Sequence, residues 1–282
     1  MVVPMTTTTT GRLAVPGATL HYEVRGRGPV LLISQSGEGD AGRSADLVGR
    51  LTDDYTVVTY DRRGLSRSTL DDPARGVRMA EHGDDVHRLL AALTDEPALM
   101  LGCSLGAVIG LHVAVRHPGQ LGVLVAHEPV APRLLPAAGR AHHEAELAEI
   151  QRLYRREGLA PALKAIAGVL GIDPAGSQAE PGLTPQPMTP SRIANFGFFI
   201  EHDFTAVIDD DLPVTELAGT PTRIVPAVGR TTPRTVFDYR CAQELAGLLG
   251  TEPVEFPGGH NGNTTHPRAY ADQLRGQLAA AP

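Results

Sequence analysis

The sequence of 282 residues contains little of what several large classes of protein require. Its two cysteines, Cys103 and Cys241, are too few for a disulfide framework or for a zinc site built from cysteines. No apolar run reaches the ~20 residues that a membrane-spanning helix needs. The 25 lysine and arginine residues are scattered along the chain and outnumbered by 32 acidic residues, giving a net charge of −7. No basic patch is therefore available to attract nucleic acid or an anionic membrane.

The N-terminal residues also lack the features of a targeting segment. Residues 1–12 are rich in threonine and have no basic region followed by an apolar core, so we predict a tail rather than a secretory signal. With 42% apolar residues, the remaining chain is long enough to bury a large core. These features predict a cytoplasmic protein that acts on a small molecule and needs neither a metal nor a cofactor.

The chain alternates between short β-rich runs and helical patterns, which predicts an α/β fold with a mostly parallel central sheet flanked by helices. We assign residues 13–130 and 220–282 to this core, beginning with a hairpin over Leu13–Val24. Between them, residues 131–219 form a helical insert that would cap the site. The insert contains a connector rich in proline and glycine, residues 171–190, and a helix for which Ser191 is the predicted N-cap.

The strongest local motif is Gly102-Cys103-Ser104-Leu105-Gly106, a G-x-S-x-G that follows a predicted strand and begins a predicted helix. In this setting the serine occupies a tight strand-to-helix turn and its hydroxyl stands above the sheet. The flanking glycines are needed because a side chain would collide with neighbouring backbone. The helix N-terminus favours the negative charge of a tetrahedral intermediate. The motif therefore predicts that Ser104 is a nucleophile.

A serine nucleophile needs a base, and His260 is the predicted one. It lies in Phe256-Pro257-Gly258-Gly259-His260, after the last predicted strand, where the edge of the sheet would present it to Ser104. Other histidines, including His82 and His143, are expected on helix surfaces. His142 and His143 are not a metal pair, because adjacent helical residues face different directions.

The acid that orients the base is harder to assign. The usual loop, Gly229–Pro233, contains no carboxylate. Glu128 follows the preceding core strand, and a carboxylate there could accept the imidazole Nδ1–H. We favour Glu128 and keep Asp238, which falls inside a predicted helix, as the alternative.

Two further loops fit the same machinery. Ser34–Gly39 follows an early strand and could contribute a backbone N–H to the oxyanion hole, with the N–H of Leu105 as the second donor. Tyr60–Ser68 is rich in side chains that bond to nearby backbone, so we interpret it as a structural brace for the loops at the sheet edge.

These motifs, YDRRGLSRS, GCSLG and PGGH, resemble those of the α/β-hydrolase superfamily over about residues 13–278. GCS-x-GA, HEP at Glu128, VG-x-x-TP and PG-x-H followed by THP are similar to zearalenone-type lactonases. That resemblance implies a Ser104-His260-Glu128 triad, with oxyanion donors at the N–H groups of Ser36 and Leu105. The chain departs from those lactonases in three ways: it has no cap tryptophan, Ser36 replaces a glycine, and Pro226 interrupts a predicted strand.

The predicted activity is hydrolysis of an ester or lactone of a small organic molecule, which is also the expected partner. Phe196, Phe198 and Phe199 could replace the missing tryptophan as substrate-binding residues, and packing of the insert against the core explains them equally well. The triad leaves other reactions open: carbon–carbon bond hydrolysis, a perhydrolase, a cyclase of secondary metabolism, or a non-catalytic receptor. A dehalogenase or epoxide hydrolase is disfavoured because those enzymes carry aspartate at the position of Ser104. The oligomeric state stays open, a homodimer included.

Overall fold

The computed structural model describes residues 8–172 and 179–279. Residues 173–178, part of the predicted connector, lie outside the described residues. Within the described part the strands form one sheet of nine strands. Their bounds are β1 Thr9–Val15, β2 Ala18–Gly26, β3 Val30–Ser34, β4 Thr56–Tyr60, β5 Thr69–Leu70, β6 Ala98–Cys103, β7 Leu121–His127, β8 Arg223–Gly229 and β9 Val254–Phe256.

The sheet has the order β1-β2-β4-β3-β6-β7-β8-β9, and β5 pairs with β2. Strand β2 is antiparallel to β1, β4 and β5, whereas all neighbours from β4 to β9 are parallel. The register aligns Cys103 with His127 and His127 with Ala227. Because these strands run in the same direction, the loops that follow β6, β7 and β8 emerge together at one edge of the sheet.

Helices cover both faces of this sheet, as the sequence predicts. One face packs against α1 and α10, and the other packs mainly against α2, α3 and α8. The bounds are α1 Ala45–Leu51, α2 Met79–Ala91, α3 Leu105–Arg116, α4 Ala137–Glu157, α5 Leu159–Val169, α6 Pro190–Phe198, α7 Phe204–Ile208, α8 Phe237–Leu249, α9 Gly262–Thr265 and α10 Pro267–Ala279. None of these helices is long and apolar enough to span a membrane.

Three local predictions differ from the structure. β1 begins at Thr9, so residues 9–12 belong to the first hairpin rather than to a tail. The N-cap of α6 is Thr189, whose hydroxyl accepts the Arg192 N–H at 3.2 Å, and Ser191 lies inside the helix. Pro226 does not interrupt β8, because β9 pairs with β8 only from Ala227 onward and Pro226 has a neighbouring strand on one side alone.

Helices α4 to α7 lie between β7 and β8 in the chain, as expected for the insert. Between α6 and α7 the backbone forms one π-helical segment, Phe199–Asp203. Segments of this kind are rare and are often found beside functional sites. Here the segment turns Phe199 and Asp203 into the protein, where both side chains are buried.

Candidate active site

Ser104 stands at a strained turn between β6 and α3. Its φ of 51° and ψ of −112° lie in a region that non-glycine residues rarely adopt. A Cβ on Gly102 would approach the backbone of Gly106 to 2.5 Å, and a Cβ on Gly106 would lie 2.1 Å from the carbonyl oxygen of Ser34. Neither position has room for a side chain, for the reason expected from the sequence. The turn has the geometry of a nucleophile elbow.

His260 and Glu128 meet at the same edge of the sheet. Glu128 follows β7 with a φ of 45°, and its Oε2 lies 2.7 Å from His260 Nδ1. The other oxygen, Oε1, accepts the backbone N–H of Gly229 at 2.8 Å. Both carboxylate oxygens are therefore used, one to hold the imidazole and one to anchor the carboxylate on β8. The side chain of Glu128 is fully buried and that of His260 is 2% exposed.

The environment fixes the charge of the Glu128 carboxylate. Burial by itself would raise its pKa. The hydrogen bond from His260, the charges of His127 and His260 and the N–H of Gly229 outweigh burial and lower the pKa to about 2. For His260, burial opposes the charged form, yet the hydrogen bond to Glu128 and the nearby carboxylates raise its pKa above the ordinary value. Glu128 is thus ionised throughout the neutral range and stabilises the imidazolium that a proton transfer would form.

Asp238, the alternative acid, also belongs to this site. It lies in the first turn of α8, is 1% exposed, and places Oδ2 3.5 Å from His260 Nε2. The two carboxylates therefore approach opposite nitrogens of one ring. Only Glu128 contacts Nδ1, the nitrogen that an orienting acid must hold.

The loop expected to supply an oxyanion donor is held by Arg62. The guanidinium is 1% exposed and donates to the carbonyls of Gln35 at 3.5 Å, Ser36 at 3.4 Å and Gly37. A trans peptide unit points its N–H away from its carbonyl. Fixing the Gln35 carbonyl towards Arg62 therefore directs the Ser36 N–H to the opposite side. That N–H donates none of the hydrogen bonds seen in the described part of the chain.

The second proposed donor, the Leu105 N–H, is the first backbone amide of α3. The first amides of a helix have no acceptor within it. In the described residues neither amide has a hydrogen-bond acceptor, and both stay predicted oxyanion donors.

Sequence reasoning missed the partner of Arg62. Asp203, in the π-helical segment of the insert, accepts from the Arg62 guanidinium at 2.9 Å and lies 3.0 Å from His82 Nε2. All three side chains are almost completely buried. Burial would raise the pKa of Asp203, but the positive charge of Arg62 and the hydrogen bond to His82 lower it. His82 was predicted on a helix surface and His143 likewise, and both are buried.

No local motif of the sequence predicts the cluster of Arg62, His82 and Asp203, because these residues lie in three distant segments. The interpretation of Tyr60–Ser68 as a brace is nevertheless confirmed. Asp61 accepts from the backbone N–H groups of Ala41 and Arg67, and the Ser68 hydroxyl donates to the carbonyl of Asp61.

The phenylalanines predicted to bind substrate include two that pack directly on core loops. A Cβ on Gly64 would touch the Phe198 ring at 2.4 Å, and one on Gly37 would touch the Phe199 ring at 2.7 Å. Phe196 lies instead beneath Arg192, whose guanidinium carbon is 5.5 Å from the ring centre. Packing against the core therefore accounts for Phe198 and Phe199, and substrate contact stays a prediction for all three.

In residues 8–172 and 179–279, no group of three or more histidine, cysteine or acidic side chains is arranged to hold a metal ion. Both cysteines are buried and unpaired, and burial raises the pKa of the Cys103 thiol to about 12. Cys103 is therefore protonated and unreactive at neutral pH, although it adjoins Ser104.

Comparison with known proteins agrees with the fold. Residues 29–159 match the alpha/beta hydrolase fold family. The chain is 37% identical over 272 residues to the uncharacterized hydrolase YraK of Bacillus subtilis, covering 95% of each. Among solved structures it resembles a hydrolase from Pseudomonas aeruginosa PA01, with a TM-score of 0.66 and 25% identity over 96% of this chain and 98% of that one. It also resembles the enol-lactonase from Burkholderia xenovorans LB400, with a TM-score of 0.69 and 20% identity over 95% and 99%.

The chain belongs to the alpha/beta hydrolase fold family, and it is a hydrolase of that superfamily. The likeness to the enol-lactonase extends to the fold alone, because so low an identity does not carry a substrate from one protein to another.

Proposed function

We propose that the protein is a serine hydrolase that cleaves an ester or lactone of a small organic molecule through an acyl-enzyme intermediate. One observation carries this proposal: the buried Glu128 carboxylate accepts a 2.7 Å hydrogen bond at His260 Nδ1, at the edge of the sheet where the elbow presents Ser104. A neutral imidazole with its proton on Nδ1 has a lone pair on Nε2. That lone pair is what a serine hydroxyl needs from its base.

In the proposed reaction, Ser104 Oγ attacks the carbonyl carbon while His260 Nε2 takes the hydroxyl proton. The N–H groups of Ser36 and Leu105 stabilise the oxyanion, each contributing about 3–4 kcal/mol to lowering the barrier. His260 then returns the proton to the leaving alkoxide, which leaves an acyl group on Ser104. A water molecule, deprotonated by His260, releases the acid and restores the serine.

A lactone would place an added demand on this site. Its leaving alcohol stays attached to the acyl group, so re-closure competes with water at a high effective concentration. The insert, residues 131–219, is proposed to act as a cap that holds the freed alcohol away from the acyl carbon. Phe196, Phe198 and Phe199 are its proposed substrate-facing residues. The contacts of Phe198 and Phe199 with glycines of two core loops support a cap that is closely fitted to the core.

The narrower proposal is a macrocyclic lactone of the resorcylic type, from the resemblance to zearalenone-type lactonases. The hydrogen bond between His260 Nδ1 and a glutamate that follows β7 supports it. The absence of tryptophan from the chain separates it from those lactonases.

The test is to incubate the purified protein with a resorcylic macrolactone and, separately, with a simple aryl acetate, and to measure products by mass spectrometry. Ser104→Ala is the inactive variant. Ser191→Ala, which removes an exposed hydroxyl from α6, is the matched control. Ring-opened lactone over many turnovers, lost in Ser104→Ala and kept in Ser191→Ala, would support the lactonase.

Cleavage of the aryl acetate alone would leave a serine esterase and refute the narrower proposal. Binding of one equivalent without release of product would favour a receptor. Product formation by Ser104→Ala at the wild-type rate would refute the nucleophile assignment.

A further inference from the structure

Asp238 is a buried acid that the proposed reaction does not use. Its side chain is 1% exposed, and Oδ2 lies 3.5 Å from His260 Nε2, the nitrogen that serves the nucleophile. Neither carboxyl oxygen has a hydrogen-bond partner of ordinary length and angle within the described residues. A buried carboxyl group without a partner is costly, and in native structures such a group calls for an explanation.

The groups that face Asp238 come from three elements. His260 approaches from the loop after β9, Glu128 from the end of β7, and the Ser104 hydroxyl from the elbow. Burial raises the pKa of Asp238 to about 7, and the negative charge of Glu128 acts in the same direction. The positive form of His260 and the Ser104 hydroxyl oppose this rise without cancelling it. The carboxyl group therefore exchanges its proton in the neutral range. It lies beside an imidazole whose pKa is raised, despite burial, by the hydrogen bond to Glu128 and by the nearby carboxylates.

We propose that Asp238 is a positioning residue for His260, and that the two side chains share one proton whose location decides whether Nε2 is free to act as a base. When the carboxyl group holds the proton, Nε2 keeps its lone pair and can accept from Ser104. When the proton moves to Nε2, the carboxylate and the imidazolium attract each other and the base is blocked. The exchange conserves protons and charge, so it needs no other reactant. This inference rests on the proposed function of His260.

The geometry explains why Asp238 cannot replace Glu128. An acid at Nδ1 favours the imidazolium without touching the working nitrogen, whereas an acid at Nε2 competes with the serine for it. A permanently ionised carboxylate at 3.5 Å from Nε2 would hold the proton there. Burial in the first turn of α8 keeps Asp238 neutral for part of the time and thereby limits this competition.

The experiment compares wild type with Asp238→Asn, which keeps the size of the side chain and cannot ionise. The chemical shift of a ring carbon of His260 is followed by NMR across pH 4–9. An opposite charge within 4–6 Å shifts a pKa by roughly 1–3 pH units. We therefore expect the midpoint of the His260 titration to fall by about one pH unit or more in Asp238→Asn. The acid limb of kcat/KM should move to lower pH by the same amount, with kcat at its plateau reduced less than tenfold.

The matched control is Asp210→Asn, which removes another buried carboxylate bonded to a histidine, His112 at 2.8 Å, outside the active site. It should leave the titration of His260 unchanged. Circular dichroism and thermal unfolding establish that each variant is folded, and Asp238→Ser provides a second neutral side chain if the amide disturbs packing.

A midpoint for His260 within 0.3 pH units of wild type in a folded Asp238→Asn variant would overturn the proposal. The NMR titration needs no substrate, so it reads the proton sharing even if no ester is hydrolysed. Failure of the serine-hydrolase proposal would instead appear as absence of turnover together with a normal shift in Asp238→Asn.

Discussion

Replacing Glu128 by glutamine tests the assignment of the acid. The Glu128 carboxylate accepts two hydrogen bonds: Oε2 accepts from His260 Nδ1–H at 2.7 Å, and Oε1 accepts from the Gly229 N–H at 2.8 Å. A glutamine has one accepting oxygen. If its amide nitrogen faces Gly229, two donors are forced together. If it faces His260, it donates to Nδ1 and moves the ring proton to Nε2, where no lone pair is left for Ser104.

Two magnitudes follow from this geometry. The loss of the correct tautomer should lower kcat by about 10⁴-fold, as the corresponding change does in a serine protease, which raises the barrier by roughly 5.5 kcal/mol. The lowering of the Glu128 pKa from 4.5 to about 2 corresponds to roughly 3 kcal/mol in favour of the ionised, folded form. Glu128→Gln should therefore lose up to about 3 kcal/mol of unfolding free energy at neutral pH.

The assay is steady-state hydrolysis of the best ester or lactone found in the substrate panel, together with the rate at which a fluorophosphonate modifies Ser104. Glu149→Gln is the matched control, because Glu149 is exposed and, among the described residues, pairs only with Arg152 on the same helix. The control should be active and as stable as wild type.

Wild-type kcat in a correctly folded Glu128→Gln variant would refute the reasoning. A loss of stability without a loss of kcat would mean that Glu128 is structural only.

The remaining predictions concern the support of the site. Asp203→Asn, which leaves the Arg62 guanidinium buried without its carboxylate, should cost about 3–5 kcal/mol of unfolding free energy. It should also lower kcat more than it raises KM, because Arg62 would then hold less firmly the loop Ser34–Gly39, the proposed source of an oxyanion donor. Gly106→Ala should prevent native folding or stop labelling of the nucleophile, because its Cβ would lie 2.1 Å from the Ser34 carbonyl oxygen. The lowered pKa values of Glu128 and Asp203 stabilise the fold above the ordinary carboxyl pKa, near 4, and this stability is lost as pH falls towards 2. Thermal unfolding between pH 6 and pH 2 should therefore show Tm falling with acidification, less steeply in Glu128→Gln.

Each of these predictions has a control and an outcome that contradicts it. Asp210→Asn breaks a comparable buried pair, that of Asp210 with His112, away from the loop Ser34–Gly39. It should therefore lower the unfolding free energy but leave kcat/KM near wild type. Equal kcat losses in the two aspartate variants would contradict a role of Asp203 at the loop. Gly247→Ala places a Cβ where nothing lies within 4 Å, and it should be neutral or stabilising by up to about 1 kcal/mol. A well-folded, reactive Gly106→Ala, or a Tm that does not change between pH 6 and pH 2, would contradict the other two predictions.

The order of strands and helices could be predicted from the sequence because local patterns report local structure. The alternation of β-rich runs with helical stripes such as Met79–Leu93 is a property of neighbouring residues. The elbow at Ser104 was predictable for the same reason, since two glycines, a serine and their flanking elements lie within a dozen positions. The boundary at Thr9 and the N-cap at Thr189 were missed, because polar threonines can begin a strand or cap a helix equally well.

The assignment of Glu128 was partly a matter of exclusion, since the loop after β8 contains no carboxylate. Sequence order could not tell whether Glu128 or Asp238 would face the imidazole. In the structure both do, from opposite sides, because β7 and α8 bring residues 110 positions apart against one ring.

The sequence by itself determined the class of fold, the elbow and the identity of the residues available for chemistry, since each depends on short-range patterns of hydrophobicity, glycine and turn-forming residues. Only the tertiary structure decided that Glu128 contacts Nδ1 of His260 while Asp238 lies beside Nε2. It also decided that the carboxylate of Asp203, in the insert, neutralises the charge of Arg62. These pairings are set by the register of parallel strands and by the packing of the insert on the core. Their energies depend on burial, which no local stretch of sequence specifies.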